Sequence, residues 1–195
     1  EFRRVLFRSR LRLVVTHAAG TGSGLSEIEA WGDAPGPYVP PPPRAGNLAF
    51  NDGRREFPRA TCSFHDVYGG VPAKAHDGRF HFSPTPVNRW TSYGSPTPTD
   101  WLAFDFGEPV AVGRVDVHLY DDRGGVQPPR RFWLEIESDG RWVPVGDERH
   151  DPPEPRGGVL NTVTFERIVT SRLRVVFEHR EKSKSGVTEV EMWER

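Results

Sequence analysis

The feature that most constrains the fold is a two-residue alternation of apolar and polar side chains in several short segments. Residues 112–119, 131–137 and 172–178 show it most clearly, and in the last of these Leu173 and Val175 alternate with arginines. A period of two is typical of β-strands that bury one face. Further short strands are predicted at 101–106, 141–145, 160–165 and 187–193.

Glycine and proline add a second constraint, because 20 Gly and 19 Pro make up one residue in five of the 195. Turn residues such as Gly107-Glu108-Pro109, Asp139-Gly140 and Gly157-Gly158 separate the predicted strands. No segment shows a convincing helical period. The sequence therefore predicts an all-β fold, an antiparallel sandwich or barrel of about eight short strands.

Composition excludes several classes of protein. Lys and Arg number 26 against 27 Asp and Glu, so the chain lacks the basic character of nucleic-acid-binding proteins. No apolar run approaches the roughly 18–20 residues that a membrane span needs. The predicted loop tips carry Asp, Glu and Gly more than Leu or Trp, so we also expect no membrane partner. Cys62 is the single cysteine, which excludes a disulfide framework and a multi-cysteine zinc site. We expect it to be a buried, unreactive thiol.

An internal repeat indicates two related modules. Residues 10–32 and 172–194 align without a gap, and 10 of their 23 positions are identical. His17 and His179 occupy equivalent positions, which favours a turn or strand-end role for both. We interpret residues 10–32 as the C-terminal strands of a truncated upstream copy.

The segments around this repeat predict the domain boundaries. Residues 33–46 are rich in proline and should form a semi-rigid linker, which leaves 47–195 as the intact module. Residues 1–9 read Glu-Phe-Arg-Arg-Val-Leu-Phe-Arg-Ser, one frame of a sequencing-library adapter. We expect these nine residues to be non-native, and the alternative is a basic amphipathic N-terminus.

A series of short motifs across residues 47–193 resembles the discoidin, or coagulation factor 5/8 type C, domain. The motifs are Asn47-Leu48-Ala49, Ala75-His76-Asp77-Gly78, Asn88-Arg89-Trp90, Trp101–Gly107 and Glu189–Trp193. Bacterial relatives include carbohydrate-binding modules of the galactose-binding-like fold. The resemblance implies an antiparallel eight-stranded jelly-roll β-sandwich, preceded here by the orphan fragment of a second copy.

The resemblance also implies a structural calcium ion. Family members often bind it through the Asp-Gly turn and the first Glu of the closing strand, which match Asp77 and Glu189, with Asn88 as a further candidate. Calcium takes about six to eight oxygen ligands, many of them backbone carbonyls. The alternative is that Asp77 only caps an Asx-turn and that Glu189 is a solvated strand residue.

Sugar recognition needs an aromatic face and a few fixed polar groups. In sugar-binding relatives these lie on loops at one end of the sandwich. Long loops are predicted at 63–74, 79–99, 120–130, 147–158 and 179–186. The candidate ligand-binding residues are Phe64, His65, Tyr68, Thr91, Tyr93, Tyr120, Asp121, Asp122 and Arg123. A tight turn with a local Asp–Arg pair remains the alternative at 121–123, and we expect Trp90 and Trp101 to lie in the core.

Two pairs of carboxylates could suggest glycoside hydrolysis, but neither pair fits. Asp121 and Asp122 are adjacent, so on an extended chain their side chains point to opposite faces. Glu189 and Glu191 share a face, but the upstream repeat has the same pair, which favours a structural role. We therefore expect no catalytic residues in this chain.

These observations favour a non-catalytic carbohydrate-binding module from a larger bacterial polysaccharide-acting protein, such as a glycoside hydrolase. Its expected partners are a polysaccharide and the catalytic domain of the same parent chain, and its expected location is secreted or in the cell envelope. Two tandem modules would raise the effective concentration on a polymeric target. The alternative is a structural or adhesive module that binds a protein domain.

Overall fold

The computed structural model describes residues 42–82 and 87–195, together with the single residues 13, 14, 16, 19, 20 and 22. The chain divides into two units, Glu1–Val39 and Pro40–Arg195, and every described strand belongs to the second unit. The predictions for residues 1–9, for the repeat at 10–32 and for most of the linker lie outside the described residues. No described helix is long and apolar enough to cross a membrane.

Eight antiparallel strands and one short 3₁₀ helix, Pro72–Ala75, make up the described module. The strands are β1 Arg59–Cys62, β2 Trp90–Thr91, β3 Thr99–Leu119, β4 Arg131–Ser138, β5 Arg141–Pro144, β6 Arg149–Asp151, β7 Leu160–Glu178 and β8 Gly186–Trp193. The prediction of an all-β, eight-stranded jelly-roll sandwich is confirmed for this part of the chain.

Strands β3 and β7 are long because each runs through both sheets of the sandwich. In sheet I, the first half of β3 lies between β1 and β7, and β4 and β5 follow outward. In sheet II, the second half of β3 lies between β7 and β8, with β6 and β2 at the edges. The register of β3 against β7 shifts between Asp105 and Val110, where the strand passes from one sheet to the other.

This bend corrects one prediction. Segments 101–106 and 112–119 were expected to be separate strands, but the turn residues between them bend the chain without ending the strand. Gly107 has a φ of 77°, and its amide donates to Asp105 Oδ1 at 2.9 Å. Residues 106–109 of β3 lie opposite Ser171 alone, and an irregularity of this kind, like a β-bulge, bends a strand while pairing continues on both sides. Segments 160–165 and 172–178 are joined in the same way in β7.

The two shortest strands were not predicted. β6 lies within the expected loop at 147–158, and β2 lies within the expected loop at 79–99. Strands of two and three residues are too short to show an alternating pattern, so pairing with a longer neighbour defines them.

The core lies between the sheets and is built from the inward-facing residues of both. Leu102, Phe104, Leu173 and Phe177 are fully buried there. Trp90 is also fully buried and packs 5.6 Å from Phe177 between ring centroids, which confirms its predicted place in the core.

Trp101 was predicted to be a core residue, and that prediction is wrong. Because Leu102 and Phe104 face inward, the alternation of the strand places Trp101 on the outer face of sheet I. The side chain is half-buried there, with the Arg174 guanidinium 5.7 Å from its ring centroid. Cys62 is half-buried rather than buried, and burial raises the pKa of its thiol.

Arg44, which lies in the predicted linker, contacts the outer face of sheet II. Its Nε donates to Glu191 Oε1 at 2.8 Å, a second guanidinium nitrogen pairs with the other oxygen of that carboxylate, and the guanidinium stacks 5.1 Å from the Trp193 ring. Asp116 lies 3.6 Å away. The last residues of the predicted linker therefore pack as part of the module.

Candidate ligand-binding end of the sandwich

Three of the predicted binding loops, together with the segment before β8, meet at one end of the sandwich. The Asp66 amide donates to Thr91 O at 3.0 Å, and the Ser92 amide donates to Ser185 O at 2.9 Å. The Lys184 amide donates to Gly125 O, also at 2.9 Å. Backbone hydrogen bonds between loops thus fix the end on which the candidate residues lie, which we call the loop end.

Asp66 is the buried centre of this end, although sequence reasoning did not single it out. Its Oδ1 accepts hydrogen bonds from the amides of Tyr68 and Gly70, at 2.7 and 2.9 Å, and its Oδ2 accepts one from Thr91 Oγ1 at 2.5 Å. Burial alone would raise the pKa of Asp66, but these hydrogen bonds outweigh it and lower the pKa. An added Cβ at Gly70 would lie 2.4 Å from Asp66 Oδ2, so the loop requires glycine there.

Two exposed tyrosines form an aromatic pair above this centre. Tyr68 is 65% exposed and Tyr93 is 45% exposed, and their ring centroids lie 6.2 Å apart at an angle of 48°. Val67, which was not predicted, is 87% exposed beside them. Gly125 lies against the Tyr93 ring, so the third loop supports the pair.

The other candidate ligand-binding residues of the first two loops form hydrogen bonds within the protein. Thr91 is fully buried and donates its hydroxyl to Asp66, so it positions the loop and is not exposed to a ligand. Phe64 is half-buried, and its carbonyl accepts a hydrogen bond from the Trp90 indole at 3.0 Å. His65 is exposed, with its Nδ1 2.9 Å from the Asp66 carbonyl.

The turn at 121–123 follows the tight-turn interpretation that the sequence left open. Asp121 Oδ1 accepts the Arg123 amide at 2.7 Å, and Asp122 Oδ1 accepts the Gly124 amide at the same distance. Arg123 has a φ of 59°, and all three side chains at 121–123 are exposed. Each aspartate therefore uses one carboxylate oxygen to hold the turn. The other carboxylate oxygens and the Arg123 side chain lie at the surface.

Tyr120 belongs to a second aromatic cluster. Its ring lies 4.7 Å from that of Phe82, which is 43% exposed and was not predicted. The Arg89 guanidinium lies 5.2 Å from the Tyr120 ring and 3.4 Å from Asp66 Oδ2. Phe82 follows no recognisable motif, so only its exposure in the fold identifies it.

The three predicted metal ligands meet at one turn. Glu189 is fully buried, which contradicts the solvated alternative, and its Oε1 accepts the Gly78 amide at 2.9 Å. Asp77 Oδ1 accepts the Arg79 amide at 3.0 Å, which is the Asx-turn that was the other alternative. Asn88 Nδ2 donates to the carbonyl of Arg79 at 3.0 Å.

The electrostatics of this turn are unusual. Burial raises the pKa of Glu189 well above its ordinary range, and the nearby Asp77 carboxylate raises it further. Burial also raises the pKa of Asp77. Glu189 Oε2 is buried without a hydrogen-bond partner. Within the described residues no three His, Cys, Asp or Glu side chains cluster as a metal site, so a cation here would need backbone carbonyls.

The paired carboxylates Glu189 and Glu191 are both held in structural contacts. Glu189 binds the turn at Gly78, and Glu191 binds Arg44 and lies 2.9 Å from His118 Nε2. Both are buried, so neither can flank a glycosidic bond.

Solved structures of similar fold come from several bacterial proteins. A chain from the Streptococcus pneumoniae beta-galactosidase BgaA has a TM-score of 0.69 at 19% identity, over 78% of this chain and 100% of that one. The chitosan-binding module 2 of a Paenibacillus sp. IK-5 chitosanase/glucanase, in complex with chitotriose, has a TM-score of 0.55 at 19% identity, over 75% and 99% of the two chains. The family 32 module of Clostridium perfringens NanJ, in complex with galactose, has a TM-score of 0.54 at 14% identity, over 69% and 91%.

These similarities show the fold alone. A comparison with protein families shows, in addition, to which family the sequence is related. No curated protein matches the chain. The F5/8 type C domain matches residues 59–192, which is more than half of the chain and extends from β1 nearly to the end of β8. The chain therefore belongs to the F5/8 type C domain family.

Proposed function

We propose that the loop end binds a glycan, and that this domain is a non-catalytic carbohydrate-binding module of a larger polysaccharide-acting protein. The observation that carries the proposal is the exposed pair of Tyr68 and Tyr93. Aromatic rings of this size present apolar faces on which the C–H groups of a sugar ring can pack. The parent protein that we propose is a secreted or cell-envelope bacterial glycoside hydrolase.

Fixed polar groups next to the pair support a sugar ligand. Asp121, Asp122 and Arg123 are exposed on a turn whose backbone is set by its own hydrogen bonds. Asp121 and Asp122 each hold one carboxylate oxygen in these hydrogen bonds, so these two side chains need little ordering on binding. Charge-assisted hydrogen bonds to hydroxyl groups are directional and strong. The chitotriose and galactose complexes of the similar modules support a glycan in general and no particular sugar here.

We also propose a structural calcium ion at the turn that joins Asp77 to Glu189. The buried Glu189 Oε2 without a partner and the raised pKa values of both carboxyls fit a place where a cation would supply the missing positive charge. The carboxylates of Asp77 and Glu189 and neighbouring backbone carbonyls would hold the ion. Its effect would be to fix the turn against β8.

Affinity electrophoresis of the full chain through gels that contain different polysaccharides tests the glycan proposal. We expect one polysaccharide to retard the protein, and we expect a Tyr68→Ala/Tyr93→Ala variant to bind it about fivefold to 150-fold more weakly, since two aromatic contacts of roughly 0.5–1.5 kcal/mol each are lost. Val169→Ala is the matched control, because Val169 is 62% exposed at the opposite end of the sandwich. A folded chain that no polysaccharide retards would overturn the proposal and favour a module that binds a protein domain.

A further inference from the structure

We propose that the loop end binds several successive sugar rings of a glycan chain, with the exposed ring of Phe82 as a second aromatic subsite beside the Tyr68–Tyr93 pair. If the loop end binds a glycan, as proposed above, its ligand is then a chain and not a single terminal sugar. Phe82 is 43% exposed, close to the 45% of Tyr93. An exposed aromatic ring of this size offers an apolar face to the C–H groups of a sugar.

The Phe82 ring is supported by two other side chains. The Tyr120 ring lies 4.7 Å from it between centroids, at an angle of 44°. The Arg89 guanidinium lies 5.9 Å from the Phe82 ring and 5.2 Å from the Tyr120 ring, and cations within about 6 Å are attracted to an aromatic face. Nε and Nη1 of Arg89 are buried without a hydrogen-bond acceptor, so the rings are main contacts of this cation. A ring held in this way before binding loses little conformational freedom on contact with a sugar.

The alternation of the strands places this support on one face of the sandwich. Trp90 of β2 lies in the core, so Arg89 and Thr91 on either side of it lie on the outer face of sheet II. β8 lies between β2 and the end of β3. Leu119, the last residue of β3, is also in the core, so Tyr120 follows it on the outer face. Arg89, Thr91 and Tyr120 therefore share one face at the loop end.

Asp66 links this face to the tyrosine pair. Its Oδ2 accepts the Thr91 hydroxyl and lies 3.4 Å from Arg89 Nη1, while its Oδ1 accepts the Tyr68 amide at 2.7 Å. Only Arg89 and Asp66 thus intervene between the Phe82 ring and the backbone of Tyr68. Since both are held by buried contacts, the two aromatic subsites are neighbours with a fixed spacing.

The charges between the subsites and the separation of the rings indicate the class of ligand. Arg89 and Asp66 have opposite charges, so the surface between the rings favours neither a polyanion nor a polycation. A sugar ring that packs on the tyrosines keeps the next rings of its chain close to Phe82 through covalent bonds. The second contact then forms at a high effective concentration. The ligand is therefore a neutral oligosaccharide segment, and its affinity should rise with chain length.

Isothermal titration calorimetry of the full chain with oligosaccharides of increasing length tests the second subsite. The probes are galactan, xylan and mannan oligosaccharides, from the single sugar to the hexasaccharide, in the series whose polysaccharide retards the parent in gels. We expect the affinity of the parent to rise along the series. Phe82→Ala should bind the shortest ligand like the parent and the hexasaccharide about two- to tenfold more weakly, which is the effect of one aromatic contact.

Two further variants separate the ring from general effects on the fold. Phe82→Tyr keeps an aromatic face and should keep the gain with length. Val143→Ala removes an apolar side chain that is 44% exposed on β5 in sheet I, and should match the parent at every length. The second subsite would be overturned if Phe82→Ala equalled the parent throughout, or if Val143→Ala lost as much. An equal loss with short and long ligands would also overturn it, because Phe82 would then act only by supporting the tyrosine site.

Failure of the glycan site as a whole gives a different result. A folded parent that no polysaccharide retards overturns both proposals. A parent that binds through Tyr68 and Tyr93 with the same affinity at every chain length keeps the glycan site and overturns the second subsite. Binding that depends on Phe82 and not on the tyrosines would overturn the arrangement of two neighbouring subsites.

Discussion

His179 Nε2 lies 2.8 Å from Asp100 Oδ2, and both side chains are 2% exposed. The other ring nitrogen of His179 lies 2.9 Å from Ser185 Oγ, and Ser63 donates its hydroxyl to Asp100 Oδ1 at 2.6 Å. An Asp, a His and a Ser in a hydrogen-bonded row could suggest a nucleophile, but Ser185 is fully buried. The row instead joins the start of β3 to the segments after β1 and β7, and so supports the loop end.

Breaking this row should destabilise the domain strongly. In His179→Leu the Asp100 carboxylate stays buried without its main partner, and removing one member of a buried pair typically costs about 3–5 kcal/mol. Burial alone would raise the pKa of Asp100, but hydrogen bonds led by that from His179 outweigh it and lower the pKa, so the carboxylate depends on this contact. Urea unfolding of the full chain measures the loss.

The matched control for His179→Leu is Arg167→Ala. Arg167 pairs with Glu194 on the surface, where the two side chains are 48% and 63% exposed. An exposed ion pair contributes about 0–1 kcal/mol, so this variant should unfold close to the parent midpoint. Equal losses in the two variants would mean that the buried row contributes no more than a surface pair.

The fold was predictable from the sequence where strands are long enough to alternate. β4, β5 and β8 begin and end within one residue of the predicted segments. Trp101 was misplaced, although the alternation set by Leu102 and Phe104 already put it on the outer face. The joining of segments into β3 and β7 depends on pairing with distant strands, which no local pattern contains.

The site was predictable only in part. The sequence identifies side chains that are able to bind a ligand, but it does not show which of them are held in contacts within the protein. Tyr68 and Tyr93 were found from their residue type and lie together at the loop end. Thr91 lies two residues before Tyr93, but its hydroxyl donates a hydrogen bond to Asp66, which is 25 residues away in the sequence. Phe82 contributes an exposed ring that no motif marks.

Gly125→Ala should weaken glycan binding at the loop end while leaving the domain stable. An added Cβ would lie 2.4 Å from Tyr93 Cε2, so the Tyr93 ring has to move away from its place beside Tyr68. Because that ring is the mobile end of an exposed side chain, it can shift at little cost to folding. We expect a loss of about tenfold in affinity, equivalent to about 1.4 kcal/mol, measured by affinity electrophoresis, with the melting temperature nearly unchanged.

Gly146→Ala is the control for this glycine. A Cβ built at Gly146 meets nothing within 4 Å, so it changes backbone freedom without displacing an aromatic ring. Its retardation should equal that of the parent. If Gly125→Ala also binds like the parent, the orientation of Tyr93 has no role in the site.

Arg44→Met should raise the pKa of His118. The pKa of His118 is lowered to about 4, chiefly by burial, and the positive charge of Arg44 is the next largest cause. Asp116 acts in the opposite direction, and His81 adds a smaller lowering effect. Loss of the Arg44 charge should therefore move the imidazole midpoint upward, although burial keeps it below the ordinary 6.5. Proton NMR of the imidazole measures this, with exposed Arg54→Met as a control that should leave the midpoint unchanged.

The same shift gives the parent a defined acid sensitivity. As the pH falls from 6.5 towards 4, the unfolded chain binds the His118 proton before the folded chain does. The contribution of His118 to the free energy of unfolding is therefore complete above pH 6.5 and is lost through this window. In Arg44→Met the lower limit of this pH range should rise, because the folded pKa of His118 is higher. An unchanged lower limit would show that the charge of Arg44 has no effect on the pKa of His118.

Glu189→Gln tests the turn at Gly78 and the proposed calcium ion together. The folded pKa of Glu189 lies well above the ordinary 4.5, so the folded chain holds a proton that the unfolded chain has released. Its contribution to stability is complete below about pH 4.5 and is lost as the pH rises through the folded pKa. The side-chain amide introduced by the substitution would keep an oxygen for the Gly78 amide and carry no charge. Without calcium, the variant should therefore be more stable than the parent at neutral pH.

Added calcium should reverse that order. An ion that binds only the folded parent raises its free energy of unfolding with concentration, whereas the variant lacks the carboxylate that would hold it. Urea unfolding at neutral pH, with chelator and with calcium, measures both effects. Glu181→Gln, at an exposed position after β7, should show neither effect. A parent that is more stable than the variant in chelator would mean that an ionised Glu189 is favoured without a cation. If parent and variant respond equally to calcium, Glu189 is not a calcium ligand. Its role is then only the hydrogen bond to the Gly78 amide.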